Sequence, residues 1–383
     1  MLKGRLDMPA SFNSQSDLVV VLDKGMSFSP ATATSIDLCT YDLVRKSKYN
    51  AQTTILANSV EGPFSDVNLM FYDRKKPAQL AVTLQSLQPK LIIVQQRVKA
   101  AAKIARMFPQ TPVIVHRHNF VREKRSWLKR WSVSRRYRRL AGLIFVSNRC
   151  EKHFIENWPN LNIQSIVVPN SLELDLWRPQ RARDKSFFYA GRMARGKGVL
   201  PLAKAMVKIL PQLPDWKFEM CAVTRGEDSS HYTEVLKTLE PVRAQCFISE
   251  NLQHSEVVRC YERAAVAVVP SIETESFGRT ALEAMAGGAA LITTGVGGLG
   301  EVAGEAALYV TSNDEEALKI ACLNLAEDTL RREALAGAGM KRCKEHYDLQ
   351  RSVDLFDKFV FRYLGEAKQT PQSQIGKYLM DAR

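Results

Sequence analysis

The chain has 383 residues, of which 45% are hydrophobic and 25% charged, and its formal net charge is +14. That mixture excludes a disordered or fibrous chain, and the length predicts two domains rather than one core. No apolar run reaches the roughly 18 residues of a membrane span, the start MLKGRLDMPASFNSQ has no signal-peptide core, and the seven cysteines are scattered without a C-x-x-C pair, which predicts reduced thiols in a cytoplasmic protein.

Taken in order, residues 18–22 predict a strand, 35–44 a helix, 53–57 a strand, 68–72 a further strand and 79–87 a helix. Residues 91–95 form a continuous apolar strand, 98–107 a helix, 113–115 a strand and 143–146 another. Strands alternating with helices in this way predict a parallel, doubly wound sheet. His116-Arg117-His118-Asn119 follows the strand at 113–115, at the carboxyl end where ligands of such sheets bind. Between Arg117 and Arg139 stand ten Lys or Arg against one acid, Glu123, so this segment carries nine of the fourteen net charges and should meet something anionic. Ile166-Val167-Val168-Pro169-Asn170 ends the first half, and 179–184 reads as a polar linker.

The second half repeats the alternation. A strand at 187–190 runs into a turn with Gly191, Arg192, Lys197 and Gly198, and a helix follows at 199–209; 217–223 and 245–248 are strands and 256–264 a helix. The apolar run 265–269 is a buried strand. It leads into Pro270-Ser271-Ile272-Glu273-Thr274-Glu275-Ser276-Phe277-Gly278-Arg279 and then the good helix formers of 280–286, closed by Gly287-Gly288. Arg192 and Lys197 are suited to a diphosphate, and free amides at Phe277, Gly278 and Arg279 would add to the same anion site. The carboxylates of Glu275 and Glu283 lie at the turn and just over one helical turn further on. Helix 349–364 is amphipathic, with Val353, Phe356, Phe359, Val360 and Tyr363 on one face, and 367–383 is a polar tail.

The two turns together resemble the retaining glycosyltransferases of family 4, which have the GT-B fold: a strand followed by G-R-x-x-x-x-K-G, then P-S-x-x-E-x-F-G and a second Glu eight residues after the first. The matches are Gly191, Arg192, Lys197 and Gly198, then Pro270, Ser271, Glu275, Phe277, Gly278 and Glu283. One residue is extra between Ser271 and Glu275, which keeps Glu273 open as the acting carboxylate, and the Gly-Gly pair common after the first strand is replaced by Asp23-Lys24-Gly25-Met26.

The resemblance implies an α/β chain of two Rossmann-like domains facing a cleft, residues 1–170 binding the acceptor and 171–348 the nucleotide sugar. Helix 349–366 would return to the first domain. It further implies Arg192 and Lys197 on the leaving diphosphate, Glu275 on the sugar and Glu283 on the ribose. The base would be held near Ile248, and a His, His118 rather than His116, would contact the transferred sugar. The family's G-G-x-x-E is met by Gly297, Gly298 and Glu301. The implied donor is a UDP-sugar first and GDP-mannose second, used without a metal, since no D-x-D motif is present.

The basic stretch 120–140, with Trp127, Leu128 and Trp131 spaced to share a helix face, predicts attachment to an anionic membrane. A lipid-linked acceptor such as lipopolysaccharide core, at the inner face of the cytoplasmic membrane, would follow. Other readings are a soluble or exopolysaccharide acceptor, a nucleotide-sugar epimerase or phosphorylase of the same fold, and a basic nucleic-acid-binding protein. The last leaves both turns unexplained, so no nucleic-acid partner is expected.

Overall fold

A computed structural model describes residues 16–22, 26–73, 76–121, 126–224 and 226–366. The departure at 23–25, part of the basic stretch (122–125) and the polar tail 367–383 lie outside the described residues.

The first domain is built from β1 (Leu18–Val21), α1 (Ser35–Lys46), β2 (Thr53–Ala57), β3 (Asn68–Phe71), α2 (Pro77–Leu87), β4 (Leu91–Gln95), α3 (Val98–Met107), β5 (Val113–Arg117), α4 (Trp127–Tyr137), β6 (Gly142–Phe145), α5 (Asn148–Asn157) and β7 (Ser165–Val167). Its strands are short and apolar on both faces, as covered parallel strands must be, and β1, β4 and β6 are buried at every position. The seven strands lie in the order β3-β2-β1-β4-β5-β6-β7, every pair parallel.

The second domain follows with β8 (Asp184–Arg192), α6 (Val199–Ile209), β9 (Lys217–Val223), α7 (Ser229–Leu239), β10 (Cys246–Glu250), α8 (His254–Arg263), β11 (Ala264–Val269), α9 (Arg279–Ala286), β12 (Ala290–Thr293), α10 (Gly298–Ala303), β13 (Ala307–Tyr309), α11 (Glu315–Glu327) and α12 (Thr329–His346). Its six parallel strands take the order β10-β9-β8-β11-β12-β13. The chain order reverses between β8 and β11, and a crevice opens at the carboxyl ends of such a pair. β1 and β4 form the corresponding point of the first sheet.

The last helix, α13 (Leu349–Leu364), belongs to neither chain-order series. Its apolar face, Val353, Phe356, Phe359 and Val360, is buried in one cluster with Leu18, Val20, Ile114 and Ile144 of the first sheet. Ser47 of the first domain donates to Asp357 Oδ1 (2.5 Å). The second domain therefore ends in a helix that returns to the first, as the GT-B resemblance implied. Where the chain crosses, Leu349 N donates to Leu172 O (2.9 Å) and Leu172 N to Tyr347 O (3.0 Å). Among the described residues no helix is long and apolar enough to cross a membrane.

Several element boundaries differ by a few residues from the sequence reading, and the ends of β5 and β8 have a visible physical cause. β5 continues through His116 and Arg117, both buried; inside the fold Arg117 Nη1 donates to the carbonyl of Gln96 (2.6 Å) and Nη2 to those of Asn119 and Phe120, while Nε is buried without a partner. β8 begins at Asp184, inside the expected linker, where Lys217 Nζ pairs with its carboxylate at 3.0 Å.

Candidate active site

The loops that leave β8 and β11 meet over the crevice between those strands. After β8 a short turn, Arg195–Lys197, ends in Gly198, whose φ of +69° suits glycine, and a Cβ there would overlap the Pro270 carbonyl oxygen. The close approach lets Gly196 O accept from both Ile272 N (2.8 Å) and Glu273 N (3.0 Å). Stitched in this way, Lys197 Nζ lies 2.5 Å from Glu275 Oε1, with the two side chains 30% and 17% exposed. Ser271 Oγ donates to the same oxygen at 2.6 Å. Of the two carboxylates in the turn, Glu275 faces the cation, while the Glu273 side chain is exposed and lies against Gly196. Arg192 ends β8, and its carbonyl accepts from the Tyr189 hydroxyl (3.0 Å).

Gly278 caps α9 with a φ of +108°, and a Cβ there would overlap Leu299. The Phe277 side chain is buried edge-on against Tyr347, with ring centroids 5.7 Å apart. Phe277 and Gly278 can thus offer a ligand their backbone amides but no side chain.

One turn into α9, Glu283 is buried and its Oε1 accepts from His254 Nε2 and from Arg279 Nε, both at 2.8 Å. Burial works to raise its pKa, but the charges and hydrogen bonds of His254 and Arg279 outweigh it and hold the carboxyl at about 2. His254 was not apparent from the sequence, although it opens α8 directly after the capping residue Gln253. Arg279 reaches further. Its Nη1 lies 3.2 Å from Cys39 Sγ on α1, so this side chain joins the two domains. Burial pushes the Cys39 thiol up to about 11, with the Arg279 charge opposing. Ile248 stands apart, two strands from the crevice on β10, its side chain packed against the second domain's core.

Across the cleft, His116 and His118 point to the same side of the chain, with ring centroids 4.2 Å apart. Neither is a surface imidazole: they are 1% and 6% exposed. His118 Nε2 is 2.8 Å from Gln95 Oε1, and His118 N donates to Gln96 Oε1 (2.9 Å). Both ring nitrogens of His116 are buried without a partner. Burial lowers the His116 pKa to about 3, and burial, then His116 and Arg117, lowers that of His118 well below the ordinary range, so both rings are neutral at physiological pH. The His118 carbonyl accepts from Ser276 Oγ at 2.6 Å, which brings the histidine to the residue beside Glu275. His118, Glu275 and Lys197 therefore belong to one connected set.

On the outer surface of the first domain, α4 exposes Trp127 (73%), Leu128 (57%) and Trp131 (57%). Arg135 lies over the Trp131 ring at 5.4 Å, and Arg130 over the Trp158 ring at 4.8 Å.

Residues 184–328 match the profile of the family described as Glycosyl transferases group 1. The matched segment contains both turns of the crevice and all of the second sheet. The chain is 27% identical to a glycogen synthase of Mycobacterium tuberculosis over 190 residues, covering 48% of this chain and 45% of that protein. It is 24% identical to the lipopolysaccharide core biosynthesis mannosyltransferase LpcC of Rhizobium leguminosarum bv. viciae over 223 residues, covering 54% and 62%. The chain thus spans about half the length of the curated relatives it matches. Among solved structures, HepE of Anabaena in complex with UDP and glucose superposes with a TM-score of 0.74 at 14% identity, covering 90% of this chain and 99% of that one. That likeness establishes the GT-B fold.

Proposed function

We propose that the protein transfers a hexose, with retention of anomeric configuration, from a nucleotide-diphosphate sugar to a lipid-linked glycan. The observation that carries this reading is the meeting of Lys197 and Glu275 over the β8–β11 crevice, 2.5 Å apart, within the segment that matches the Glycosyl transferases group 1 profile. Transfer passes through an oxocarbenium-like state while a diphosphate departs. Cations and amides aimed at that diphosphate act most strongly as its charge develops. Arg192, Lys197 and the amides of Phe277, Gly278 and Arg279 supply this role, and no metal is needed for it.

Glu275 would take sugar hydroxyls on Oε2, since Lys197 and Ser271 occupy Oε1. Glu283, likewise engaged through Oε1, would present Oε2 to the ribose. His118, neutral and tied to Gln95, would contact the transferred sugar from the acceptor side, and the base would rest near Ile248. A UDP-sugar is the favoured donor and GDP-mannose the second; HepE was solved with UDP and glucose, and LpcC is described as a mannosyltransferase. LpcC also favours lipopolysaccharide core as the acceptor. The exposed Trp127, Leu128 and Trp131 on the basic α4 favour attachment of residues 120–140 to an anionic membrane face, on the cytoplasmic side where nucleotide sugars are made.

The test is turnover by the purified protein with UDP- and GDP-sugars, with and without a lipopolysaccharide-core acceptor. Release of nucleoside diphosphate, accelerated by the acceptor, is expected. Absence of release with every donor overturns the reading.

A further inference from the structure

The donor-side loops do more than line a crevice: they hold the opposite domain. The turn containing Glu275 is paired with the loop that precedes α10, for Gly298 N donates to Glu275 O (2.6 Å) and Glu275 N to Val296 O (3.4 Å). Each of these two segments then reaches across the cleft. From the first, Ser276 Oγ donates to the His118 carbonyl at 2.6 Å, and the Ser276 carbonyl accepts from Ser147 Oγ at 2.6 Å and from Cys150 Sγ at 3.3 Å. From α10, which continues the second, the Glu301 carboxylate covers the amino end of α5: Oε1 accepts from Asn148 N (2.9 Å) and Nδ2 (2.8 Å), and Oε2 from Arg149 N (2.8 Å).

The second grip is a charge-assisted cap in which the carboxylate comes from the other domain. A cavity of about 820 Å³ lined by Arg149, Lys152, Gly295, Gly297 and Glu301 lies beside it. Behind the bridge, Arg342 Nη2 donates to the Glu301 carbonyl (2.7 Å) and Tyr347 Oη to the same oxygen (3.0 Å), which fixes the backbone that presents the carboxylate.

We propose that Ser276 and Glu301 are positioning residues for transfer, holding His118 and the first domain at a set distance from Glu275. The role rests on the function proposed above. Neither side chain is required to touch the donor. They act through the backbone of the turn and of His118, so their loss should leave donor binding intact while the reacting groups lose register. Misplacement of about 1 Å in such a site costs on the order of 100-fold in rate, whereas one neutral hydrogen bond corresponds to roughly 3- to 10-fold and a charge-assisted one to roughly 10- to 100-fold.

The experiment measures kcat and donor KM for transfer in S276A, S276T and E301Q, with circular dichroism confirming the fold. S276A should lose roughly 3- to 10-fold in kcat and E301Q roughly 10- to 100-fold, both with donor KM within about twofold of wild type, and S276T should recover most of the loss. Wild-type kcat in folded S276A and E301Q overturns the proposal. So does a rise in donor KM with kcat unchanged, which would make these residues part of the donor pocket. If wild type itself neither binds nor turns over a nucleotide sugar, the proposed function falls and this role with it, an outcome distinct from an active enzyme indifferent to both substitutions.

Discussion

Replacing Lys197 by Ala perturbs two things at once, and their sizes separate them. The first is the ion pair with Glu275, at 2.5 Å with side chains 30% and 17% exposed. A pair so placed lies between an exposed bridge, worth about 0–1 kcal/mol, and a buried one, whose breakage costs about 3–5 kcal/mol; about 1–3 kcal/mol of stability is the expected loss. Glu275 keeps Ser271 Oγ at 2.6 Å, which favours the lower part of that range. A typical domain has about 5–15 kcal/mol in hand, so the variant should fold. The second effect is the missing cation on the departing diphosphate. By analogy with the loss of one oxyanion donor it costs about 2.7–4 kcal/mol, or roughly 100- to 1000-fold in kcat. Because the rate loss exceeds what unfolding could produce, it should appear in a fully folded protein. Release of nucleoside diphosphate gives kcat, and circular dichroism with urea unfolding gives the fold and its stability. Lys197→Ala and Glu275→Ala touch one another, so the double variant should lose less than the product of the two. A folded Lys197→Ala protein with wild-type kcat would remove Lys197 from the diphosphate site.

His118→Ala should lower turnover more than donor affinity and His116→Ala should do less, read as kcat and donor KM; the reverse ranking would move the sugar contact to His116. Glu283 has its carboxyl at about 2 in the fold against an ordinary 4.5, so its contribution is present above about pH 4.5 and lost as pH falls toward 2. The stability gap between wild type and Glu283→Gln, on the order of 3 kcal/mol at neutral pH, should therefore close across that window in urea unfolding, and a gap independent of pH would count against the buried pairings. Co-sedimentation with vesicles should require anionic lipid, weaken with salt, and fall when Trp127, Trp131 and Arg135, Arg136, Arg138 and Arg139 are replaced; retention by the substituted protein would remove this segment as the anchor.

Most of the scaffold was legible because parallel sheets announce themselves: β2, β4 and α3 have the bounds read from apolar runs and helical spacing. The end of β5 was not, since His116 and Arg117 carry no strand-like pattern, and the carbonyls that Gln96, Asn119 and Phe120 offer to the guanidinium are brought there by the fold. In the candidate site, Lys197, Glu275 and Gly278 could be read from turns that are local in sequence. The pairings that cross between distant segments could not: His254 with Glu283, Arg279 with Cys39, and Glu301 with the amino end of α5. Each is a polar residue that looks like an ordinary helix-end charge until the fold supplies its partner.

The β8–β11 crevice is expected to bind a nucleotide sugar through side chains and amides alone. A thermal-shift series with UDP-, GDP- and ADP-sugars in the presence of EDTA addresses it most directly. At a ligand concentration about 100 times Kd the folded state gains about 2.7 kcal/mol, so one donor, most simply a UDP-sugar, should raise Tm in EDTA, and Glu283→Ala should abolish the rise. No rise with any nucleotide sugar, or a rise seen only when a divalent cation is supplied, would contradict the account.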